Sequence, residues 1–155
     1  MGRRVGGGKK PKPGPAADVT ADSPGFLLWR ATNQWQRHLR AALHSTGLTH
    51  VQYVLLTAAR DGAPVTQAAL AAHACTDVMM TSQVVRALEK RGLLARTPHP
   101  TDRRARMVSL TPDGARAAEE ATILARAADR EFFDVLGRRE AKFVKRLRKL
   151  AEADG

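Results

Sequence analysis

The chain has 155 residues, of which 43% are hydrophobic and 26% charged, a balance typical of one globular domain with little room for a second. Its 26 lysines and arginines outnumber its 15 acidic residues, and the formal net charge of +11 favours a polyanionic partner, nucleic acid before an anionic membrane. No apolar run suits a secretion signal or a membrane span, and the single cysteine, Cys75, excludes an internal disulfide, so we expect a cytoplasmic protein with no membrane partner.

Two segments open the chain. Residues 1–22 are rich in glycine, proline and lysine and have almost no large apolar side chains, so they are predicted to form a disordered basic tail. Residues 23–47 are predicted to form a first helix, because Ser23 suits the N-cap and Pro24 the first helical position. Helical spacing of its apolar residues predicts one buried face: Leu28, Ala31, Trp35, Leu39 and Leu43.

Three shorter helices are predicted next. Thr49 and Gln52 form a capping box at the start of the second helix. A third helix, QAALAAH, has only about two turns and follows an Asp-Gly turn. Asp77 is a good N-cap for the fourth helix, and Gly92 is the expected left-handed residue just past its end.

Beyond the fourth helix the pattern changes to two short apolar-alternating segments, LLART and RMVSLT, separated by PHPTDRRA. Such a pattern predicts a β-hairpin with a long tip over about residues 94–110. Thr111, Pro112 and Asp113 then supply an N-cap, a first-turn proline and an acidic first turn for a fifth helix that continues to about Leu136. The segment REAKFVKRLRKLAEA predicts a last helix.

The order of these elements predicts the fold. Helices over 67–73 and 78–91, joined by a turn, have the lengths of a helix-turn-helix, and the hairpin after them supplies a wing. We therefore expect a mainly α fold with a small β-wing, in which a winged helix-turn-helix DNA-binding region over 48–110 is flanked by helices at 23–47 and 111–153.

The fourth helix is the candidate recognition helix. If Leu88 points inward, the rotation of 100° per residue puts Met79, Gln83 and Arg86 outward and Ser82 at the flank. Arg86 can pair with guanine through two hydrogen bonds, Gln83 can pair with adenine, and Met79 can lie against a thymine methyl group. An ordinary solvated surface is the alternative for any one of these side chains.

The run from SQVVRALEKRGLLAR through HPTDRRARMVSLTPDG resembles the multiple-antibiotic-resistance regulator (MarR) family, whose wing carries Asp-x-Arg before a strand that ends in Leu-Thr-x-x-Gly. The resemblance extends from about residue 26 to 153. It implies that Arg104 enters the minor groove and that Asp102 orients it. A narrow minor groove attracts an inserted arginine, while Arg96, Arg103 and Arg106 can meet phosphates. Alternatively, Asp102 and Arg104 only staple a mobile tip, and both roles are compatible.

The resemblance also implies a homodimer, in which the N- and C-terminal helices at 23–47 and 111–153 form the dimerisation domain. Such a dimer is expected to bind a pseudo-palindromic operator in double-stranded DNA. In a monomer the apolar stripe of Phe143, Leu147 and Leu150 would be poorly covered. The basic residues between Arg138 and Lys149 predict a solvated face, with a second DNA contact as the alternative. The expected function is a sequence-specific transcriptional regulator, by family habit a repressor. The alternative is a non-specific architectural nucleic-acid-binding protein, and no motif indicates an enzyme.

The resemblance also suggests a small aromatic effector. Many members of the family release DNA when an aromatic or phenolic ligand binds, and Trp29 and Asn33 lie one turn apart on the otherwise polar side of the first helix. A dimer contact is the favoured interpretation of this pair, and a ligand wall is the alternative. Cys75 lies in the turn just before the recognition helix. The favoured interpretation is that it is a small core residue, and a redox sensor is the alternative. The spacing of the histidines predicts no metal site, and no other cofactor is expected.

Overall fold

A computed structural model describes residues 21–60 and 64–152, so the predicted basic tail lies outside the described residues up to position 20. The described chain is mostly helical with one small antiparallel sheet, which confirms the predicted fold class. Its elements in chain order are α1 (Pro24–Leu43), α2 (His50–Ala58), β1 (Val65–Thr66), α3 (Gln67–His73), α4 (Val78–Lys90), β2 (Leu94–Pro98), β3 (Arg106–Leu110), α5 (Pro112–Phe133) and α6 (Glu140–Ala151), with 3-10 turns at His44–Thr46 and Asp134–Arg139.

The helix starts follow the predicted capping residues. The Thr49 hydroxyl accepts from the amide of Gln52 at 3.2 Å, and the Gln52 side chain accepts from the amide of Thr49 at 3.0 Å. The Asp77 carboxylate accepts from a backbone amide of the first turn of α4 at 2.7 Å. The Thr111 hydroxyl accepts from the amide of Gly114 at 3.0 Å at the start of α5. Each cap satisfies amides that have no partner inside their own helix.

The sheet has three strands rather than the predicted two. β3 lies between β2 and β1, and the two-residue β1 pairs antiparallel with it through Val65 opposite Val108 and Thr66 opposite Met107. The sequence predicted only the start of α3 here, because two residues are too few to show strand alternation. Thr66 also caps α3, since its hydroxyl accepts from the amide of Ala69 at 3.1 Å.

The C-terminal end of α4 lies where the sequence predicts it, whereas that of α5 does not. Gly92 has a φ of +72° and follows α4, and the Leu93 amide donates to the Leu88 carbonyl at 2.9 Å, as expected of a left-handed terminus. The fifth helix, in contrast, ends at Phe133 rather than near Leu136. The chain then forms a 3-10 turn that contains Gly137 at a φ of +48° before α6 begins.

The core is formed mainly by leucines of the central helices and by small side chains of α5. Alanines at 118, 121, 125 and 128 are buried on one face of α5, and such small residues allow α2 to pack close to it. The predicted buried stripe of α1 is only partly correct, because Leu28 is 51% exposed and Ala31 is also exposed, whereas Leu39 and Leu43 are fully buried. Helical spacing identifies the apolar face of a helix, but it does not say which residues of that face are buried.

Candidate DNA-binding surface

The recognition helix α4 presents the two faces that its sequence predicts. Thr81, Val85 and Leu88 are buried, and the Thr81 hydroxyl is satisfied by the Asp77 carbonyl at 2.9 Å and by a neighbouring threonine. On the opposite side Met79 is 75% exposed, Gln83 and Arg86 are exposed, and Ser82 is half-buried at the flank. The side chains assigned to base reading are therefore accessible, and their contacts with bases stay a prediction.

Two further apolar side chains at the start of α4 are exposed, which the sequence did not single out. Val78 is 60% exposed and Met80 is 41% exposed, on either side of Met79. A helix turns 100° per residue, so three consecutive apolar residues cannot all face one core. That run was the signal that the leading end of this helix offers apolar surface as well as polar groups.

The wing is a regular antiparallel hairpin up to the base of its tip. Arg96 pairs with Val108, and Pro98 at the end of β2 pairs with Arg106 at the start of β3. Arg103 and Arg104 lie exposed in the connection between the strands. The hairpin thus carries two cationic side chains beyond its last paired residues.

Asp102 shapes the backbone of the tip. Its Oδ1 accepts from the amide of Arg104 at 2.9 Å, and its carbonyl accepts from the amide of Ala105 at 3.1 Å. An aspartate that bonds the amide two residues ahead forms a local turn. Asp102 thus holds the backbone at Arg104, and its role in orienting the arginine side chain stays a prediction.

His99 is a tip residue that sequence reasoning missed. Its Nδ1 accepts from the amides of Asp102 at 3.1 Å and Thr101 at 3.3 Å, and its own amide donates to the Ala105 carbonyl at 3.3 Å. Nδ1 of His99 thus serves as the acceptor for two backbone amides of the tip. The available signal was a side-chain acceptor at the first position of a turn that also contains proline.

A groove runs between the recognition helix and the wing. It gathers four of the predicted DNA-binding residues, Ser82, Arg86, Asp102 and Arg104, whereas Met79, Gln83 and Arg103 are outside its lining. Further lining residues come from β1, α3, the start of α4 and the wing: Thr66, Gln67, Ala68, Val78, Arg96, Ala105 and Arg106. The lining carries four arginines and one carboxylate, an excess of positive charge that favours a polyanionic partner.

Known proteins resemble the chain over most of its length. A sequence model of the MarR family matches residues 48–105. The HTH-type transcriptional regulator YdcH of Bacillus subtilis is 43% identical over 122 residues, which cover 76% of this chain and 83% of YdcH. The HTH-type transcriptional repressor Rv2887 of Mycobacterium tuberculosis is 33% identical over 109 residues, which cover 70% of this chain and 78% of the repressor.

A solved structure agrees with these sequence matches. Bordetella bronchiseptica BpsR, whose DNA binding is regulated by 6-hydroxynicotinic acid, superposes with a TM-score of 0.80 at 30% identity, over 89% of this chain and 98% of BpsR. The chain belongs to the MarR family. It is accordingly a MarR-type transcriptional regulator with a DNA-binding winged helix.

One arginine of this MarR-family wing already has an ion-pair partner, and its predicted phosphate contact stays a prediction. Arg96 was expected to meet phosphate, but its Nε and Nη2 lie 2.8 Å and 2.5 Å from Oε2 of Glu89 on the recognition helix. Both side chains are partly buried, at 27% and 35% exposure. A guanidinium engaged in this way has fewer donors left for DNA.

The turn of the MarR helix-turn-helix contains Cys75, and the predicted small core residue is wrong. Cys75 is exposed and has a φ of +49°, the left-handed region that favours glycine. Its amide donates to the Ala72 carbonyl at 3.2 Å, and the Thr76 amide donates to the Ala71 carbonyl at 3.0 Å, the paired bonds of a Schellman motif. Residue type alone did not show that this position closes a helix.

The remaining MarR-type prediction concerns α1. Trp29 is 62% exposed and stacks on Phe26 with ring centroids 5.7 Å apart. The Asn33 amide donates from Nδ2 to the Trp29 carbonyl at 2.8 Å, so part of its hydrogen-bonding capacity serves the helix itself.

Among the described residues no helix is long and apolar enough to cross a membrane.

Proposed function

We propose that this MarR-family chain is a homodimeric regulator that binds a specific operator and represses transcription. The observation that carries this proposal is the arginine-lined groove beside the exposed face of α4. Phosphate contacts position a protein on DNA, and base contacts in the grooves confer specificity. A surface that offers both, on a helix and on an adjoining hairpin, supports sequence-specific binding.

We assign different tasks to the two parts of this surface. On α4, Arg86 reads guanine, Gln83 reads adenine and Met79 lies against a thymine methyl group, with Ser82 at the flank. On the wing, Arg104 enters the minor groove, where a narrow groove concentrates negative potential. Asp102 supports it through the backbone bond at 2.9 Å. The exposed Arg103 contacts a phosphate.

The proposed dimer interface includes the apolar side of α6. Phe143, Val144 and Leu147 are 36%, 44% and 37% exposed, and Leu150 is 68% exposed. A continuous apolar face on an otherwise strongly basic helix is covered in a stable soluble protein, and a second copy of the chain is the partner that the family suggests. Two copies related by a twofold axis would read a pseudo-palindromic site.

We further propose that a small aromatic acid releases the operator. The BpsR comparison supports this, because 6-hydroxynicotinic acid regulates the DNA binding of that protein. Trp29 and Asn33 on α1 are the candidate contacts, since an exposed indole offers a stacking surface. The test is whether aromatic carboxylic acids raise the thermal midpoint of the protein and lower its affinity for the operator.

Selection of preferred sites from random double-stranded DNA tests the proposed operator binding. We expect two related half-sites separated by about one helical turn. Competition at physiological salt follows: if unrelated DNA displaces the selected site equally well, the chain is a non-specific architectural binder and the proposal is wrong.

Substitution of Arg86 by alanine tests base reading on the same site. We expect it to cost about 1 to 3 kcal/mol of specific binding and to relax one base preference. Lys90→Ala is the matched control, because Lys90 is exposed at the far end of the same helix. Uniform weakening on all sequences by Arg86→Ala would contradict base reading and indicate a phosphate contact.

A further inference from the structure

An ion pair joins the recognition helix directly to the wing. Glu89 lies in the last turn of α4, and Arg96 is the third residue of β2. Two nitrogens of the guanidinium, Nε and Nη2, converge on Oε2 of Glu89 at 2.8 Å and 2.5 Å. Two donors from one planar group fix the direction of approach as well as the distance.

Glu89 is an electrostatic anomaly at this position. It is the one acidic residue of α4, and it lies three residues from Arg86 on a helix that otherwise carries basic or neutral side chains. Its partner Arg96 lines the arginine groove. Phosphate attraction alone disfavours a carboxylate here, because it neutralises one of the cations that would displace counterions from DNA. An acid at this place therefore points to a role other than attraction to DNA.

The geometry of the ion pair points to a role in holding the wing against α4. Between the two elements the chain passes through Gly92, whose φ of +72° makes a sharp reversal. The ion pair spans this reversal, and the backbone of Arg96 is paired with Val108 of the central strand. The wing is thus tied to α4 by a side-chain contact as well as by the chain itself.

We propose that Glu89 and Arg96 are specificity-determining positioning residues, which hold the wing at the angle to the recognition helix that a specific operator requires. This inference rests on the proposed operator binding. A base contact by Arg86 and a minor-groove contact by Arg104 must form at the same time, and a misplacement of either one weakens the specific complex. Non-specific binding needs only phosphate contacts, and it tolerates a looser wing.

The two interpretations of Glu89 predict opposite changes in operator affinity when Glu89 is replaced by glutamine. If the carboxylate acts only through its charge, Glu89→Gln tightens binding to every DNA. If it positions the wing, Glu89→Gln weakens the selected operator about five- to tenfold, while binding to a scrambled duplex of the same length stays constant or tightens, a range that corresponds to ordinary coupling energies of contacting residues. Glu120→Gln is the matched control, since Glu120 is an exposed acid on α5. It should leave the ratio of the two affinities unchanged.

Substitutions of Arg96 separate positioning from a direct phosphate contact. Arg96→Lys keeps the positive charge but loses the planar pair of donors, so we expect the operator-to-scrambled affinity ratio to fall as it does in Glu89→Gln. The double variant Glu89→Gln, Arg96→Gln should lose no more specificity than either single variant, because both remove one contact. Thermal midpoints of all variants should stay close to the wild type, since a partly exposed pair contributes little to stability.

Three results would overturn the inference. The first is tighter binding of Glu89→Gln to operator and scrambled DNA alike. The second is an Arg96→Gln variant that weakens both DNAs equally and lowers the salt dependence by about one phosphate contact. The third is full specificity in Arg96→Lys. Failure of the proposed function is distinguishable from all three, because the wild-type protein itself would then fail to prefer the operator.

Discussion

Gly114 at the start of α5 should not tolerate even a methyl group. A Cβ at this position would lie 1.8 Å from the carbonyl oxygen of Leu93, 2.8 Å from its carbonyl carbon and 3.1 Å from Cδ2 of Leu110. Non-bonded carbon and oxygen atoms approach to roughly 3.3 Å. In Gly114→Ala the first turn of α5 must therefore move about 1.5 Å away from the base of the wing, by the difference between these separations.

That displacement acts on two hydrogen bonds of Thr111. Its amide donates to the Leu93 carbonyl at 3.2 Å, and its hydroxyl donates to the Gly92 carbonyl at 2.6 Å. Each lost bond costs about 1 kcal/mol, and strain from overpacking adds roughly 1 to 3 kcal/mol. Alanine regains about 1 kcal/mol through its higher helix propensity. The expected net loss is about 2 to 4 kcal/mol, a large part of the stability of a small domain.

Urea unfolding of Gly114→Ala measures this loss. Gly25→Ala is the matched control, because Gly25 also lies in the first turn of a helix and a Cβ there meets nothing within 4 Å. We expect the control to raise the free energy of unfolding by up to about 1 kcal/mol, because it gains the same helix propensity without a steric cost. A Gly114→Ala protein as stable as the wild type would refute the close-approach explanation of this glycine.

Three other perturbations have directions set by the structure. Cys75→Gly should raise the free energy of unfolding by about 1 kcal/mol, because glycine adopts the left-handed φ without strain. Cys75→Val should lower it. Chemical unfolding measures both variants, and equal stability of both with the wild type would contradict this reasoning. Burial lowers the pKa of His50, and the opposing attraction of Asp129 is the smaller effect. The unfolded state therefore takes up this proton more readily, and stability falls as pH drops below about 6.5. Thermal scans should show this fall weakened in His50→Gln but not in the control His73→Gln. Leu147→Asp should shift the protein to monomers in sedimentation, whereas Lys145→Asp on the basic side of α6 should not, and equal behaviour of the two would count against the α6 interface.

The sequence predicted features that depend on neighbours within a few residues. The caps at Thr49, Asp77 and Thr111 follow from a side chain and an amide three residues apart, and the structure confirms all three. The exposed face of α4 followed from helical rotation alone. Such local rules need no knowledge of the remaining fold.

Features that depend on distant partners were missed or wrong. β1 exists because Val65 pairs with Val108, far along the chain, and its own sequence carries no strand signal. The ion pair of Arg96 with Glu89 was missed, because no local rule links the two residues across a chain reversal. The exposure of Cys75 depends on how α3 ends, which residue type does not reveal.

The His99 cap has a consequence for the kinetics of DNA binding. Because Nδ1 of His99 holds the amides of Thr101 and Asp102 in the free protein, the tip has its turn before it meets DNA. Association slows when a binding element must first rearrange, and a preformed element avoids that step. We therefore expect the tip bonds to act on the rate at which the proposed DNA complex forms, and the arginines that they present to act on its lifetime.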